Sequence, residues 1–487
     1  MNVRNFADLK SLLLENKTVK QTIFKNTFWL GVSEGVTRLL GLILIIYVAR
    51  ILGATEYGKF TFALAFVSLF AVFSNFGLIS ITTRELSRNK EREKEFPAIF
   101  TLKILLSIGA LILMLIGSFF ATSDSAIREI VWILAVYILI NGFLEIVYAF
   151  LRARQQMQYE AWAKILRATI VTGAGLFVIL NFPSVRNLSY GYLFASLTVL
   201  IFVLLFFHFR IFSLRLSFKK STWKRFLAMS WPLGFVIIFA TIYHQIDSVM
   251  LGYLGQITET GWYNAAYRIA NAALIPSVFI FQGFYPVLST AFKESKERMQ
   301  KIWNYRTGIT TLIAIPLVVA GLVLAPRIID LVYGPSFSPS ILAFQILIIM
   351  TGIMFFMGPC SQILVVSNQQ KKYFWIAGSG AIVNIILNLI LIPKYSLYGA
   401  AIATLITFFL MFILFLVSTA KFTSIKPLNL KVFLFFLSAV LSSIPMYFVI
   451  SHPLIYGLNI LFSISVGATI YLIFLFILNK VFKLKLI

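Results

Sequence analysis

Glu34 and Arg38 stand four residues apart inside an apolar stretch, residues 27–50. At helical periodicity both fall on one face, which also carries Gly31, Gly35 and Gly41. A guanidinium can hold two phosphate oxygens at once, and a carboxylate beside it can take a proton or a cation. Counting 1.5 Å per residue places Arg38 about 16 Å from the nearer end of the stretch, close to mid-bilayer if the stretch spans a membrane. Two readings stand open: a ligand site in a wet cavity, or a local ion pair that ties this helix to a neighbour. Within 262–291, Asn264, Arg268 and Asn271 follow the i, i+4, i+7 rule and share a stripe, in a helix interrupted by Pro276 and Pro286. Arg268 lies about 9 Å from its outer end, so it either serves a cavity or reaches water along its own length. His244 and Asp247 are at i, i+3, with Tyr243 four residues before the Asp. That set suits a bound proton or Na⁺, or an ionised Asp247 paired with Arg268. Glu145 shares a face with Asn141, Tyr148 and Arg152 near a span end, and Lys103 sits close enough to the inner surface to snorkel.

The elements that must position these groups follow from composition. Of 487 residues, 60% are hydrophobic and only 12% are charged, about half the charge of a soluble domain. A soluble globular protein, a disordered chain and a disulfide scaffold are excluded; the single Cys360 falls in an apolar run. Apolar runs bounded by charges or Gly and Pro predict an all-α polytopic membrane protein with about fourteen transmembrane helices. These fall near 27–50, 58–83, 97–121, 127–151, 163–181, 190–209, 226–252, 262–291, 302–326, 339–366, 373–393, 397–420, 431–450 and 456–479. With both termini assigned to the cytoplasm, most of the 42 Lys and Arg fall in inside segments. Arg50, Lys59, Arg128, Arg186, Arg327 and Lys394 fall outside. The net charge of +25 is therefore topological, and nucleic acid is not implied.

Weak internal repeats organise the spans. LGATEYGKF (52–60) resembles LGQITETGWY (254–263), QQMQYEAW (155–162) resembles QQKKYFWI (369–376), and YGYLFASLT (190–198) resembles YGAAIATLI (398–406). These predict a six-helix N-lobe over 27–209, a C-lobe over 226–420, two appended helices over 431–479, and a pseudo-twofold along the membrane normal. Residues 1–26 read as a basic amphipathic segment on the cytoplasmic surface. Gly53 to Lys59 has phosphate-loop spacing, but Phe60 stands where Ser or Thr is needed and no strand precedes it, so it is an outside turn.

Several runs together resemble a known family. They are RLLGLILIIYVARILGATEYGKFTFA, Gly77-Leu78 followed by TTREL, QIDSVMLGYLG with GWYNAAYRIANAALIP after it, and IPKYSLYGAAIATLI. Over residues 20 to 480 the chain resembles the polysaccharide repeat-unit flippases of the Wzx type, in the superfamily that also holds multidrug exporters and lipid II flippases. The resemblance implies a multi-pass protein of the cytoplasmic membrane. It implies alternating access that carries a polyprenyl-diphosphate-linked oligosaccharide from the inner to the outer leaflet for cell-surface polysaccharide synthesis.

Thr37-Arg38-Leu39-Leu40-Gly41 matches the Ser/Thr-Arg-x-x-Gly of lipid II flippases, and Ala266-Tyr267-Arg268-Ile269 matches their second arginine motif. The resemblance thus assigns Arg38 and Arg268 to the diphosphate; Asn264 and Asn271 are expected beside the sugars. Asp247, His244 and Glu34 are the candidates for ion coupling, and Glu145 and Lys103 are weaker candidates. Leu44 replaces a further arginine of lipid II flippases, and Ile45 stands where drug exporters pair a carboxylate with their aspartate. The alternatives are a multidrug or toxin cation antiporter and a lipid II-type flippase. A membrane glycosyltransferase, polymerase or ligase is a reading of another class, disfavoured by short outside loops and the lack of Asp-x-Asp. No enzymatic activity, metal or cofactor is expected. The expected partners are the lipid-linked oligosaccharide, membrane lipid and a polysaccharide polymerase.

Overall fold

The computed structural model describes residues 19–482, with the side chains at 19, 20, 23, 286, 293 and 482 left undescribed. Residues 1–18 of the expected amphipathic segment lie outside that range. Most of the described chain is helical, one of the two arrangements a lipid solvent allows: backbone N–H and C=O groups find no partners in hydrocarbon and must bond within a helix or around a closed barrel. In chain order the helices are α1 (Val19–Asn75), α2 (Leu78–Arg88), α3 (Phe96–Ala121), α4 (Ser125–Ala153), α5 (Met157–Asn181), α6 (Val185–Arg210) and α7 (Lys220–Tyr253). They continue as α8 (Ile257–Ala272), α9 (Ile275–Glu294), α10 (Lys296–Tyr333), α11 (Ser340–Val366), α12 (Gln370–Phe422), α13 (Leu430–Ser451), α14 (Pro453–Tyr456) and α15 (Ile460–Phe482).

Among the described residues, 11 helical segments are long and apolar enough to cross a membrane. Two of them are each a pair of spans. The segment containing α1 turns at Gly53, whose φ of 76° suits a residue without Cβ, and α12 turns at Ser396 with φ 53°. The span expected over 262–291 is discontinuous, because α8 ends at Ala272 and Pro276 starts α9. With that broken helix the count reaches the fourteen expected from hydropathy. Large apolar side chains such as Phe120, Phe209 and Trp375 face outward, as lipid-facing surface does.

The chain divides into two units, with the boundary between Tyr253 and Leu254. In the first, α1 packs on α3, α4, α5 and α7, and α4 packs on α2, α3 and α6. At its centre Phe96 meets the rings of Phe150, Phe207 and Phe212, with centroids 4.7 to 6.0 Å away. The repeats group the helix over 226–252 with the C-lobe, yet α7 packs on α1, α2 and α3 of the first unit. Glycines make that approach possible. A Cβ on Gly77 would strike the Ser230 carbonyl, and one on Gly234 would press on Phe76. In the second unit, α11 packs on α8, α10 and α12, and α13 packs on α10 and α15.

Candidate functional site

On α1, Arg38 Nε donates to Glu34 Oε1 at 2.6 Å, with the two side chains 41% and 38% exposed. Gly31 and Gly35 meet nothing within 4 Å, so this face of the helix is open. The ion pair is therefore local to α1. An exposed i, i+4 pair contributes only about 0.3–0.5 kcal/mol, so a phosphate can compete for the guanidinium at little cost.

The neighbouring face of α1 closes a cavity. Thr37, Gly41 and Leu44 line it with Tyr137 from α4, Arg167, Ala168, Val171 and Thr172 from α5, and Tyr192 from α6, around about 130 Å³. Asn141, one turn beyond Tyr137, donates through Nδ2 to the Tyr137 carbonyl at 3.1 Å, which turns its oxygen toward α5. Arg167 Nη1 donates to that oxygen at 2.7 Å. Its Nε and the Thr37 hydroxyl are buried without a hydrogen-bond partner. Sequence reasoning missed Arg167, because it starts the fifth span at 163 and leaves this residue near the inner surface. The helix begins instead at Met157, which puts Arg167 about 15 Å along it.

Glu145 belongs to a charge network near the end of α4. Arg152 Nε and Nη2 grip both oxygens of the fully buried Glu160 at 2.8 and 2.6 Å, and Nη2 also reaches Glu145 at 3.2 Å. Lys164 adds a contact to Glu160 at 2.8 Å. This network satisfies Glu160 internally and lets α5 start well before its apolar run. Lys103 does not snorkel. Its ammonium is fully buried and donates to the Ser74 carbonyl at 2.8 Å and to Ser74 Oγ at 2.9 Å, beside Phe143. It neutralises the carbonyl end of α1, where Phe76 and Gly77 take positive φ and break the helix.

Asp247 on α7 is buried, and the His244 ring sits 4.7 Å from that of Tyr243. In the second unit Asn264, Arg268 and Asn271 all lie on α8. Asn264 Nδ2 donates to the Thr260 carbonyl at 2.9 Å and Asn271 Nδ2 to the Tyr267 carbonyl at 3.1 Å, with the half-buried Arg268 between them. Each amide so fixed presents its oxygen away from its own helix. Sequence reasoning also missed Arg306, because it starts the ninth span at 302 and leaves this residue near the inner surface. It lies about 15 Å into α10, buried, with Nε and Nη1 unpartnered and its Cζ 5.9 Å from the Phe281 ring centroid. Its register against Lys103 in the repeat was the signal available.

Residues 23–292, more than half of the chain, match the family described as "Polysaccharide biosynthesis protein". The chain belongs to that family. A second family description, MatE, matches residues 232–390. The "Probable flippase AglR" of Haloferax volcanii is 23% identical to it over 458 residues, covering 91% of this chain and 93% of that relative. The "Probable low-salt glycan biosynthesis flippase Agl15" of the same organism is 22% identical over 392 residues, covering 78% and 80%. The solved structure of "Lipid II flippase MurJ, inward closed conformation" aligns with a TM-score of 0.75 at 18% identity, covering 92% of this chain and 98% of that one. That likeness establishes a shared fold.

Proposed function

We propose that this protein is a flippase that moves polyprenyl-diphosphate-linked oligosaccharide units from the inner to the outer leaflet of the cell membrane. The observation that carries the reading is Arg38, a guanidinium on an open helix face, held by an exposed partner that a phosphate can displace. Membership of the polysaccharide biosynthesis family supports the substrate class, as do relatives named for glycan flipping. The second unit carries its own candidate contacts in Arg268 with Asn264 and Asn271, a cation flanked by amides suited to sugar hydroxyls.

The lipid tail stays in hydrocarbon while the headgroup passes through a hydrated chamber opened to one side and then the other. No covalent bond is made or broken. A headgroup of charge about −2 leaving a negative interior gains roughly 4.6 kcal/mol per 100 mV, enough to drive accumulation outward. Coupling to a cation at Asp247, His244 or Glu34 would add to that drive. Both termini face the cytoplasm on the distribution of Lys and Arg, and a polysaccharide polymerase consumes the delivered units.

Reconstitution tests this. Vesicles containing the protein and a fluorescent polyprenyl-diphosphate oligosaccharide should expose the inner-leaflet pool to an impermeant reducing reagent, and Arg38→Gln vesicles should do so at least about tenfold more slowly. Equal rates in protein-free vesicles would refute the reading.

A further inference from the structure

We infer that the cavity of the first unit between α1, α4, α5 and α6 is a binding site for one phosphate group, with Arg167 as its cation. The inference rests on the flippase reading only for where that phosphate comes from.

Arg167 carries five N–H donors. One reaches the neutral Asn141, and Nε is buried with no partner. Among the described residues no carboxylate pairs with Arg167. Arg167 is partly buried, and its charge has no counterion in the cavity lining, so an anion entering the cavity meets a cation with donors to spare. The cavity is where that anion fits. Its volume of about 130 Å³ is several times the roughly 10–15 Å³ that a single water needs on the same measure, so a polyatomic anion has room. The lining contains Arg167 and no acidic side chain, which excludes a cation as the occupant.

A second unpartnered donor lines the cavity from another helix. The Thr37 hydroxyl is buried and unbonded, and it approaches from α1 while the guanidinium comes from α5. Two donors from different helices suit an oxyanion with divergent oxygens better than a single-point halide. The rings of Tyr137 and Tyr192, edge to face at 5.4 Å, stiffen the remaining wall. Asn141 is a positioning residue: its amide is fixed by the Tyr137 carbonyl, and its oxygen holds the guanidinium without neutralising it. Thr37 precedes Arg38, so the cavity and the open Arg38 face are adjacent on α1.

The test uses the full chain in nanodiscs. Inorganic phosphate and pyrophosphate are titrated by calorimetry, and thermal stability is followed with and without them. Wild type should bind and be stabilised by both. Arg167→Gln and Asn141→Asp should weaken binding roughly tenfold to a hundredfold. Asn141→Asp supplies a built-in carboxylate for Arg167, so it should keep the wild-type melting temperature while losing the phosphate-dependent rise. Wild-type phosphate affinity in folded Asn141→Asp would overturn the site, as would chloride competing equally well with phosphate. Polyprenyl diphosphate in the nanodisc should displace inorganic phosphate while polyprenol does not if the source is a lipid headgroup; displacement by neither marks free phosphate as the ligand. Phosphate binding without flipping would sink the flippase reading and leave this site standing. Flipping without phosphate binding would do the reverse.

Discussion

Arg306 follows Lys103 by 203 residues, the interval that separates Gly261 from Gly58, and both side chains are buried in matching settings. Lys103 Nζ and Ser74 Oγ flank the position where Gly142 lacks a Cβ, at 2.8 and 3.8 Å. Arg306 Nη2 and Oγ of Ser277, which again follows Ser74 by 203, flank Gly358 in the same way, each at 3.9 Å. The two repeats thus place a cation, a serine and a glycine together at one internal position. They differ in one respect: Lys103 is bonded to the end of a helix, whereas two guanidinium nitrogens of Arg306 have no partner.

That difference predicts opposite responses to the same change. Lys103→Met strips the Ser74 carbonyl of its donor and should cost about 1–3 kcal/mol, read as a lower melting temperature of the purified protein in detergent. Arg306→Met removes a buried charge that lacks a counterion and should be neutral or stabilising. Equal losses from both substitutions would contradict the account.

Glu160 should matter to folding and Glu145 should not. Glu160 is fully buried and takes three contacts from Arg152 and Lys164, so Glu160→Gln should destabilise by about 3 kcal/mol. Glu145 is 37% exposed with one contact at 3.2 Å, and Glu145→Gln should cost less than about 1 kcal/mol. Thermal melts of the two variants side by side decide this.

Gly77 is held at φ 78° against the backbone of α7. Gly77→Ala adds both a strained conformation and a collision with the Ser230 carbonyl, and should cost about 2 kcal/mol or more. Gly31→Ala, on the open face of α1, should leave stability unchanged in the same melt.

The helical fold was legible because lipid leaves the backbone only helices or a closed barrel and the apolar runs have the length of helical spans, and the turn at Gly53 was legible because a short polar Gly-containing run interrupts two apolar ones. The register of the repeat also showed in residues such as Gly58 and Gly261. The depth of Arg167 and Arg306 did not show. Hydropathy marks where apolar residues begin, whereas α5 begins at Met157, and its early charges are matched by Arg152 and Glu160 folding onto each other. Lys103 misled in the opposite direction: its distance from the surface suits snorkelling, and only the helix break at Phe76 and Gly77 supplies the carbonyl that holds it inside. The packing of α7 on the first unit was likewise hidden, since it depends on Gly77 and Gly234 meeting across helices far apart in sequence.

The most direct test of the central claim is the equilibrium distribution of a polyprenyl-diphosphate oligosaccharide across proteoliposomes held at a series of imposed membrane potentials. For a translocated charge of about −2, the ratio of the two leaflet pools should shift roughly tenfold for each 30 mV, toward the positive side, and only when the protein is present. A ratio that stays fixed at every potential, or that moves equally in protein-free vesicles, would contradict electrogenic flipping of a diphosphate-linked lipid by this chain.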